Sequence, residues 1–278
     1  MIETLASQPW QLAALAAVLL VAGACGGLLA GLLGVGGGIV IVPVLYMLFP
    51  FLDIAPEIRM HLAVGTSLAT IIPTSIMSAR SHYKRGGVDV ELLKTWGPWI
   101  LVGALIGTYL GGRVAGEVLT LIFAVVALLV AANMAFRPEG MTLAPAFPRG
   151  LLRGFLGLVV GGFSVMMGIG GGTLSVPLLT AFSYPVRRAV GTAAAVGLII
   201  ALPGAFGFML AGWGQGGLPP LSLGYVNLLG FALIVPTSMA MAPLGAKIAH
   251  AIRPKLLRWL FALFLLLTAL RMFYGVVT

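Results

Sequence analysis

Two runs of glycine are the residues of this sequence whose type and spacing best suit chemistry, and the second repeats the first 134 residues later. The glycines and the prolines that follow them are Gly34, Gly36, Gly37, Gly38 and Pro43 in the first run and Gly168, Gly170, Gly171, Gly172 and Pro177 in the second. Such a run interrupts a helix. The helix that restarts presents unpaired N–H groups and the positive end of its dipole, which bind an anion without a charged side chain. We therefore expect an anion site where the two breaks meet.

Hydroxyl side chains downstream of each run are the second group of candidates. Thr66 and Ser67 end the stretch 63–67, and Thr192 lies in the similar stretch 189–193, displaced by 126 residues. Each hydroxyl is a potential donor to an oxyanion. The alternative is that they bond to their own backbone or to a neighbouring helix, as membrane hydroxyls commonly do. Ala193 occupies the position equivalent to Ser67 in the second half, so a binding role for the Ser67 hydroxyl would exist in the first half only.

Acidic residues are absent from the long apolar stretches, and this limits the chemistry. The carboxylates all lie in connections or at segment ends: Glu3, Asp53, Glu57, Asp89, Glu91, Glu117 and Glu139. Proton relays and cation pathways usually need a carboxylate at mid-membrane depth, so an alkali-cation or metal transporter is disfavoured. His61, His82 and His250 are too scattered to form a metal site. No catalytic constellation is present, and we predict no enzyme activity, no metal and no cofactor.

Composition identifies the elements that must position these residues. The 278 residues are 60% hydrophobic and only 8% charged, against about 25% charged in soluble domains. This excludes soluble enzymes, disordered proteins and nucleic-acid-binding modules. The formal net charge of +9 comes from short Lys and Arg clusters between uncharged stretches, which favours contact with anionic lipid head groups rather than with nucleic acid. A single Cys25 excludes a disulfide within the chain.

Hydropathy divides the chain into two sets of five apolar segments, which predicts an all-α polytopic membrane protein. The segments of the first set are 10–33, 39–52, 62–79, 96–112 and 119–136, and those of the second are 151–167, 173–182, 189–211, 221–246 and 256–277. We accordingly predict a first membrane repeat over 1–136, a cytoplasmic linker over 137–150 and a second membrane repeat over 151–278. The linker contains Pro138, Pro145 and Pro148.

The distribution of Lys and Arg predicts the orientation in the membrane. With the N-terminus outside and every segment crossing, 13 of the 16 basic residues face the cytoplasm, as the positive-inside rule requires. The basic residues left on the outer side are Arg59, Arg113 and Arg271. Both termini are then periplasmic. An odd number of passes per half inverts the second half, and this holds even if the segments around each glycine run form a re-entrant hairpin. Inverted-topology repeats with broken helices build many secondary transporters.

The paired Gly-x-Gly-Gly-Gly and Val-Pro motifs, each followed by Ala-Val-Gly-Thr at 63–66 and 189–192, resemble the TauE/SafE sulfite exporter family, also called the 4-toluene sulfonate uptake permease (TSUP) family. The resemblance covers essentially the whole chain. It implies a bacterial-type inner-membrane permease for sulfite, thiosulfate or organosulfonates such as sulfoacetate. Substrate, direction and coupling to protons stay open, because the members of the family vary.

Two other classes stay open from the residues alone. A passive anion channel would use the same glycine turns, and a non-transporting membrane assembly subunit would need the glycines only for folding. We favour alternating access, in which the two halves rock about the glycine breaks. The sequence does not decide the oligomeric state, since glycines spaced by four serve contacts within and between subunits equally well.

Overall fold

The computed structural model describes residues 9–136, 142–249 and 254–277, and within these ranges the chain forms ten α-helices. The first half contains α1 (Pro9–Leu33), α2 (Gly38–Leu48), a 3-10 turn (Phe49–Leu52), α3 (Pro56–Tyr83), α4 (Val90–Gly111) and α5 (Gly116–Phe136). The second half contains α6 (Gly150–Met166), α7 (Gly172–Ala181), α8 (Val186–Ala211), β1 (Ser222–Leu223), β2 (Val226–Asn227), α9 (Leu228–Ile248) and α10 (Pro254–Val277). Glu3, Arg137, Glu139 and His250 lie outside the described residues. The predicted all-α fold is confirmed.

Six of the described helices are long and apolar enough to cross a membrane, so the chain is an integral membrane protein. The two helices that follow the glycine runs are much shorter. α2 has 11 residues and α7 has 10, which at about 1.5 Å per residue is roughly half of a hydrocarbon core about 30 Å thick. They start at Gly38 and Gly172, within one residue of the predicted starts, so each begins deep in the protein and ends near one face.

The helices pack as expected if a twofold axis relates the halves. α1 packs along α9, and the equivalent helices α6 and α4 pack along each other. The two pairs α3–α8 and α5–α10 each join a helix to its own counterpart. Gly103 and Gly107, spaced by four residues, lie where α4 meets α6: a Cβ at Gly103 would lie 2.3 Å from the carbonyl oxygen of Leu158, and one at Gly107 would lie 2.4 Å from that of Gly162. Small residues let these backbones touch.

The central pair, α3 and α8, runs antiparallel. Gly65 of α3 packs beside Phe208 near the end of α8, whereas His82 at the end of α3 packs beside Gly191 near the start of α8. Two equivalent helices that run in opposite directions place one half upside down relative to the other. The side of the membrane that each face occupies and the boundaries at 136 and 150 stay predictions.

The predicted segments differ from the helices where polar residues begin or precede a helix. α3 begins at Pro56 rather than Leu62, because proline suits the first helical position and Glu57 favours the first turn. α9 begins at Leu228 rather than Leu221, since the intervening residues form a hairpin in which Ser222 pairs with Asn227. The described carboxylates all lie at helix or turn ends, as predicted: Asp53, Glu57, Asp89, Glu91 and Glu117.

Candidate functional site

The two glycine runs cross each other in the middle of the protein, backbone against backbone. A Cβ at Gly36 would lie 3.0 Å from the Cα of Gly170, and one at Gly38 would lie 2.3 Å from the carbonyl oxygen of Gly168. The mirror contact is equally close, with a Cβ at Gly172 lying 2.2 Å from the carbonyl oxygen of Gly34. The offset of 134 residues converts the Gly38–Gly168 contact into the Gly172–Gly34 contact, and it converts the Gly36–Gly170 contact into itself. The local axis therefore passes between Gly36 and Gly170, and all these glycines are buried.

The glycines are required here by both conformation and space. Gly34, Gly36 and Gly37 have φ values of 68°, 75° and 80°, and Gly168 has a φ of 66°. In this left-handed region a side chain is strained. The carbonyl oxygen of Gly37 accepts a hydrogen bond from the N–H of Val40 at 3.0 Å. The N–H groups at the very start of α2 and α7 have no acceptor within their own helices.

Pro43 and Pro177 lie inside α2 and α7, in the second turn of each helix. A proline in a helix lacks the N–H that would bond the carbonyl four residues earlier. In α7 that carbonyl belongs to Thr173, and in α2 it belongs to Ile39. The structure thus places both prolines one turn beyond the crossing of the glycine runs.

The structure brings one of the three predicted hydroxyls to the crossing. Ser67 Oγ donates a hydrogen bond to the carbonyl oxygen of Gly168 at 2.7 Å and so ties α3 to the second glycine run. Thr66 Oγ1 accepts from the N–H of Asn227 at 2.9 Å, near one end of the central helix pair. Thr192 Oγ1 accepts from the N–H of Asp89 at 2.9 Å, near the other end.

Thr66 and Thr192 hold equivalent helix starts. Asn227 is the N-cap of α9, and its side chain accepts from the N–H of Gly230 at 2.7 Å. Asp89 is the N-cap of α4, and its side chain accepts from the N–H of Leu92 at 2.9 Å. The inverted repeat therefore reproduces a complete capping arrangement at opposite faces, with an amide at one face and a carboxylate at the other.

The carboxylate cap, Asp89, has a charged partner and a hydroxyl partner. Asp89 pairs with Arg188 at 3.2 Å and accepts a hydrogen bond from the hydroxyl of Tyr184. Burial raises the pKa of Asp89, but the Tyr184 hydroxyl, the Leu92 N–H and Arg188 together bring that pKa below its ordinary value. Burial and the nearby carboxylate raise the pKa of Tyr184. Asp89 is therefore ionised at neutral pH and links the start of α4 to the connection between α7 and α8.

Three buried hydroxyls near the second run were not among the predicted site residues. Ser75, Thr173 and Ser175 are 1%, 2% and 0% exposed, and their hydroxyls have no hydrogen-bond partner in the described part of the chain. Alignment of the glycine runs places Thr173 and Ser175 opposite Ile39 and Ile41. That polar-for-apolar exchange was a signal available in the sequence.

Inverted halves whose broken helices meet at the centre are the architecture of many secondary transporters. A sequence model of the family Sulfite exporter TauE/SafE matches residues 19–272, and the chain belongs to this family.

Curated relatives cover nearly the whole chain. A protein named probable membrane transporter protein from Haemophilus influenzae is 36% identical over 91% of this chain and 96% of its own length. Probable membrane transporter protein YunE of Bacillus subtilis is 25% identical over 92% of this chain and 97% of its own. Probable membrane transporter protein MJ0441 of Methanocaldococcus jannaschii is 28% identical over 87% of this chain and 89% of its own length. No solved structure matches the chain.

Proposed function

We propose that the chain is a permease for a small sulfur-containing oxyanion, such as sulfite, thiosulfate or an organosulfonate, with its site at the paired glycine breaks. The observation that carries this proposal is the buried crossing from which α2 and α7 both start. Membership of a sulfite exporter family and relatives named as probable membrane transporters support it.

The electrostatics of the crossing suit an anion. Helix starts supply N–H donors and a positive dipole end to a place with few other donors. A carboxylate there would repel the substrate, and every described carboxylate lies at a helix or turn end instead. A permease of this kind needs no cofactor or metal and performs no covalent chemistry on its substrate.

The close contact between the two runs favours alternating access over an open channel. Where a single added Cβ would lie within 2.3 Å of backbone from the other run, no hydrated anion passes. A path opens only if the runs separate toward one face and then toward the other. We infer that the two halves rock about this crossing, with protons as candidate coupling ions.

The basic residues orient this proposal in the membrane. We place the face that carries Arg188 and Arg153 in the cytoplasm, where anionic lipids attract basic side chains, and the first and last residues of the chain in the periplasm. The membrane would then be a bacterial-type inner membrane.

Flux of labelled sulfite, thiosulfate and sulfoacetate into proteoliposomes tests the proposal. Gly36→Ala places a methyl group on the crossing, where φ is +75°. We expect it to abolish saturable flux while the protein still inserts. Gly217→Ala is the matched control, because Gly217 has a φ of +76° with nothing within 4 Å of an added Cβ.

The outcomes separate the alternatives. Loss of flux in Gly36→Ala alone supports transport through the crossing. Equal loss in both variants assigns the effect to backbone strain and contradicts the proposed site. Correctly inserted, unaltered protein that moves none of the three anions overturns the substrate class, and flux that never saturates indicates a channel.

A further inference from the structure

The two glycine breaks carry the same motif but have different surroundings on the central helices. At the first break the side chain of Ile71 covers the glycines, with its atoms 3.1 Å from a Cβ at Gly36 and 2.8 Å from a Cβ at Gly38. The offset of 126 residues between α3 and α8 places Gly197 at the matching position of the second break. The second break therefore has no side chain at the position that Ile71 occupies at the first break.

Polar atoms lie beside Gly197. A Cβ at Gly197 would lie 2.7 Å from Ser75 Oγ and 3.6 Å from the backbone nitrogen of Gly171. Ser75 comes from α3 in the first half, is 1% exposed, and its hydroxyl has no hydrogen-bond partner among the described residues. A hydroxyl is rarely buried without a partner, because leaving it unsatisfied costs free energy.

A second unpartnered hydroxyl lies on the same side of α7. Ser175 follows Gly171 by four residues, so the two share one helix face. That face meets α8, since a Cβ at Gly171 would lie 2.4 Å from the side chain of Val196. Ser175 is 0% exposed, and its hydroxyl also has no partner in the described part of the chain. The matching residue at the first break is Ile41, which is also 0% exposed.

We propose that one anion binds per chain, at the second break only, against the start of α7. Its oxygens accept hydrogen bonds from the first N–H groups of α7 and from the hydroxyls of Ser75 and Ser175. A sulfonate or thiosulfate group suits this set, because its several oxygens accept from several donors at once. The first break, which Ile71 covers, binds no anion and serves as the packing surface for the second glycine run. This inference rests on the proposed function and assigns its site to one of the two equivalent positions.

Equilibrium binding of radiolabelled thiosulfate to the purified full chain, combined with flux in proteoliposomes, tests the assignment. We expect one site per chain. Ser75→Ala and Ser175→Ala should each weaken binding by about tenfold or more, since a hydrogen bond to a charged group is lost. Gly197→Ala should abolish binding, because the added methyl group takes the place of the anion and displaces the Ser75 hydroxyl.

Ser78→Ala is the matched control. Ser78 lies in the same helix as Ser75 and is equally buried at 1%, but its hydroxyl already donates to the carbonyl oxygen of Ala30 at 3.2 Å. We expect the thiosulfate affinity of the Ser78→Ala variant to stay within about twofold of that of the unaltered chain, since a hydroxyl that is already bonded elsewhere contributes no bond to the anion.

The results distinguish this inference from the proposed function. Unchanged affinity in Ser75→Ala and Ser175→Ala, with saturable flux intact, overturns the asymmetric site and leaves the permease standing. Two sites per chain also overturn it. An unaltered chain that neither binds nor moves thiosulfate, sulfite or sulfoacetate overturns both.

Discussion

The two glycine breaks show how one motif reaches two different conformations. In the first break Gly34, Gly36 and Gly37 are all left-handed, whereas in the second only Gly168 is, and Gly171 has an ordinary helical φ of −56°. The residues that differ lie outside the motif: Ile71 faces the first break and Gly197 faces the second. The motif therefore produces the crossing, and the residues of α3 and α8 that face it give the two breaks different neighbours.

This difference also separates rigid from adaptable contacts. A Cβ at Gly37 would meet backbone, the carbonyl oxygen of Gly26 at 2.8 Å, whereas a Cβ at Gly171 would first meet the side chain of Val196. Side chains shift more readily than backbone. Position 37 of the first break is therefore more tightly fixed by backbone than the equivalent position 171 of the second break.

Alanine at Gly37 and Gly171 is expected to give the largest contrast. Gly37→Ala combines left-handed strain of about 1–2 kcal/mol with overpacking of about 1–3 kcal/mol. Gly171→Ala incurs only the overpacking. We expect the thermal midpoint in detergent to fall further for Gly37→Ala than for Gly171→Ala. Equal midpoints for the two variants would show that the breaks are energetically alike.

Removing the hydroxyl of Ser67 is expected to have a smaller effect. Ser67→Ala leaves the buried carbonyl oxygen of Gly168 without its 2.7 Å donor, and an unsatisfied buried group costs about 1–3 kcal/mol. Ser164→Ala is the control, because the Ser164 hydroxyl is 0% exposed and has no partner among the described residues. We expect thermal unfolding to show a loss for Ser67→Ala and none for Ser164→Ala. An equal fall in the thermal midpoint of both variants would mean that the hydrogen bond from Ser67 to Gly168 adds nothing to stability.

The sequence alone predicted the elements whose signals are local. Glycine runs and hydropathy are local features, so the ten segments and the starts of α2 and α7 were predictable. The hairpin before α9 was not, because its residues are as apolar as a helix. Contacts distant in sequence hold it, including the bond from the N–H of Tyr225 to the carbonyl oxygen of Phe208 at 3.1 Å.

The polar side of the candidate site was harder to predict for the same reason. Ser75 is one of several hydroxyls along α3, and nothing in its own segment distinguishes it. Its significance depends on Gly197, a residue of the other half that packs against it without a side chain of its own. Thr66 and Thr192 were singled out by the repeat, but the repeat marks equivalent structural positions as readily as binding positions. In the structure each accepts a hydrogen bond from a helix-capping residue.

The two capping residues extend the comparison to the ends of the central helices and give the smallest expected effect. Asp89 and Asn227 are equivalent, but only Asp89 titrates, and its folded-state pKa lies below the ordinary value. A lowered carboxyl pKa stabilises the fold at pH above the unfolded pKa, which is about 3.9, and this stabilisation is lost as pH falls through the folded pKa. Asp89→Asn places an amide at both caps and removes this pH-dependent stabilisation.

We expect the Asp89→Asn variant to be less stable than the unaltered chain at pH 7 by about 1 kcal/mol, since an amide caps a helix well but cannot pair with Arg188. The gap between the two thermal midpoints should narrow as pH falls from 6 toward 3. Asn227→Asp is the reciprocal change. It introduces a carboxylate at the opposite face, where the backbone N–H of residue 227 donates to the hydroxyl of Thr66. A gap that stays constant with pH would show that the charge of Asp89 does not distinguish the two faces.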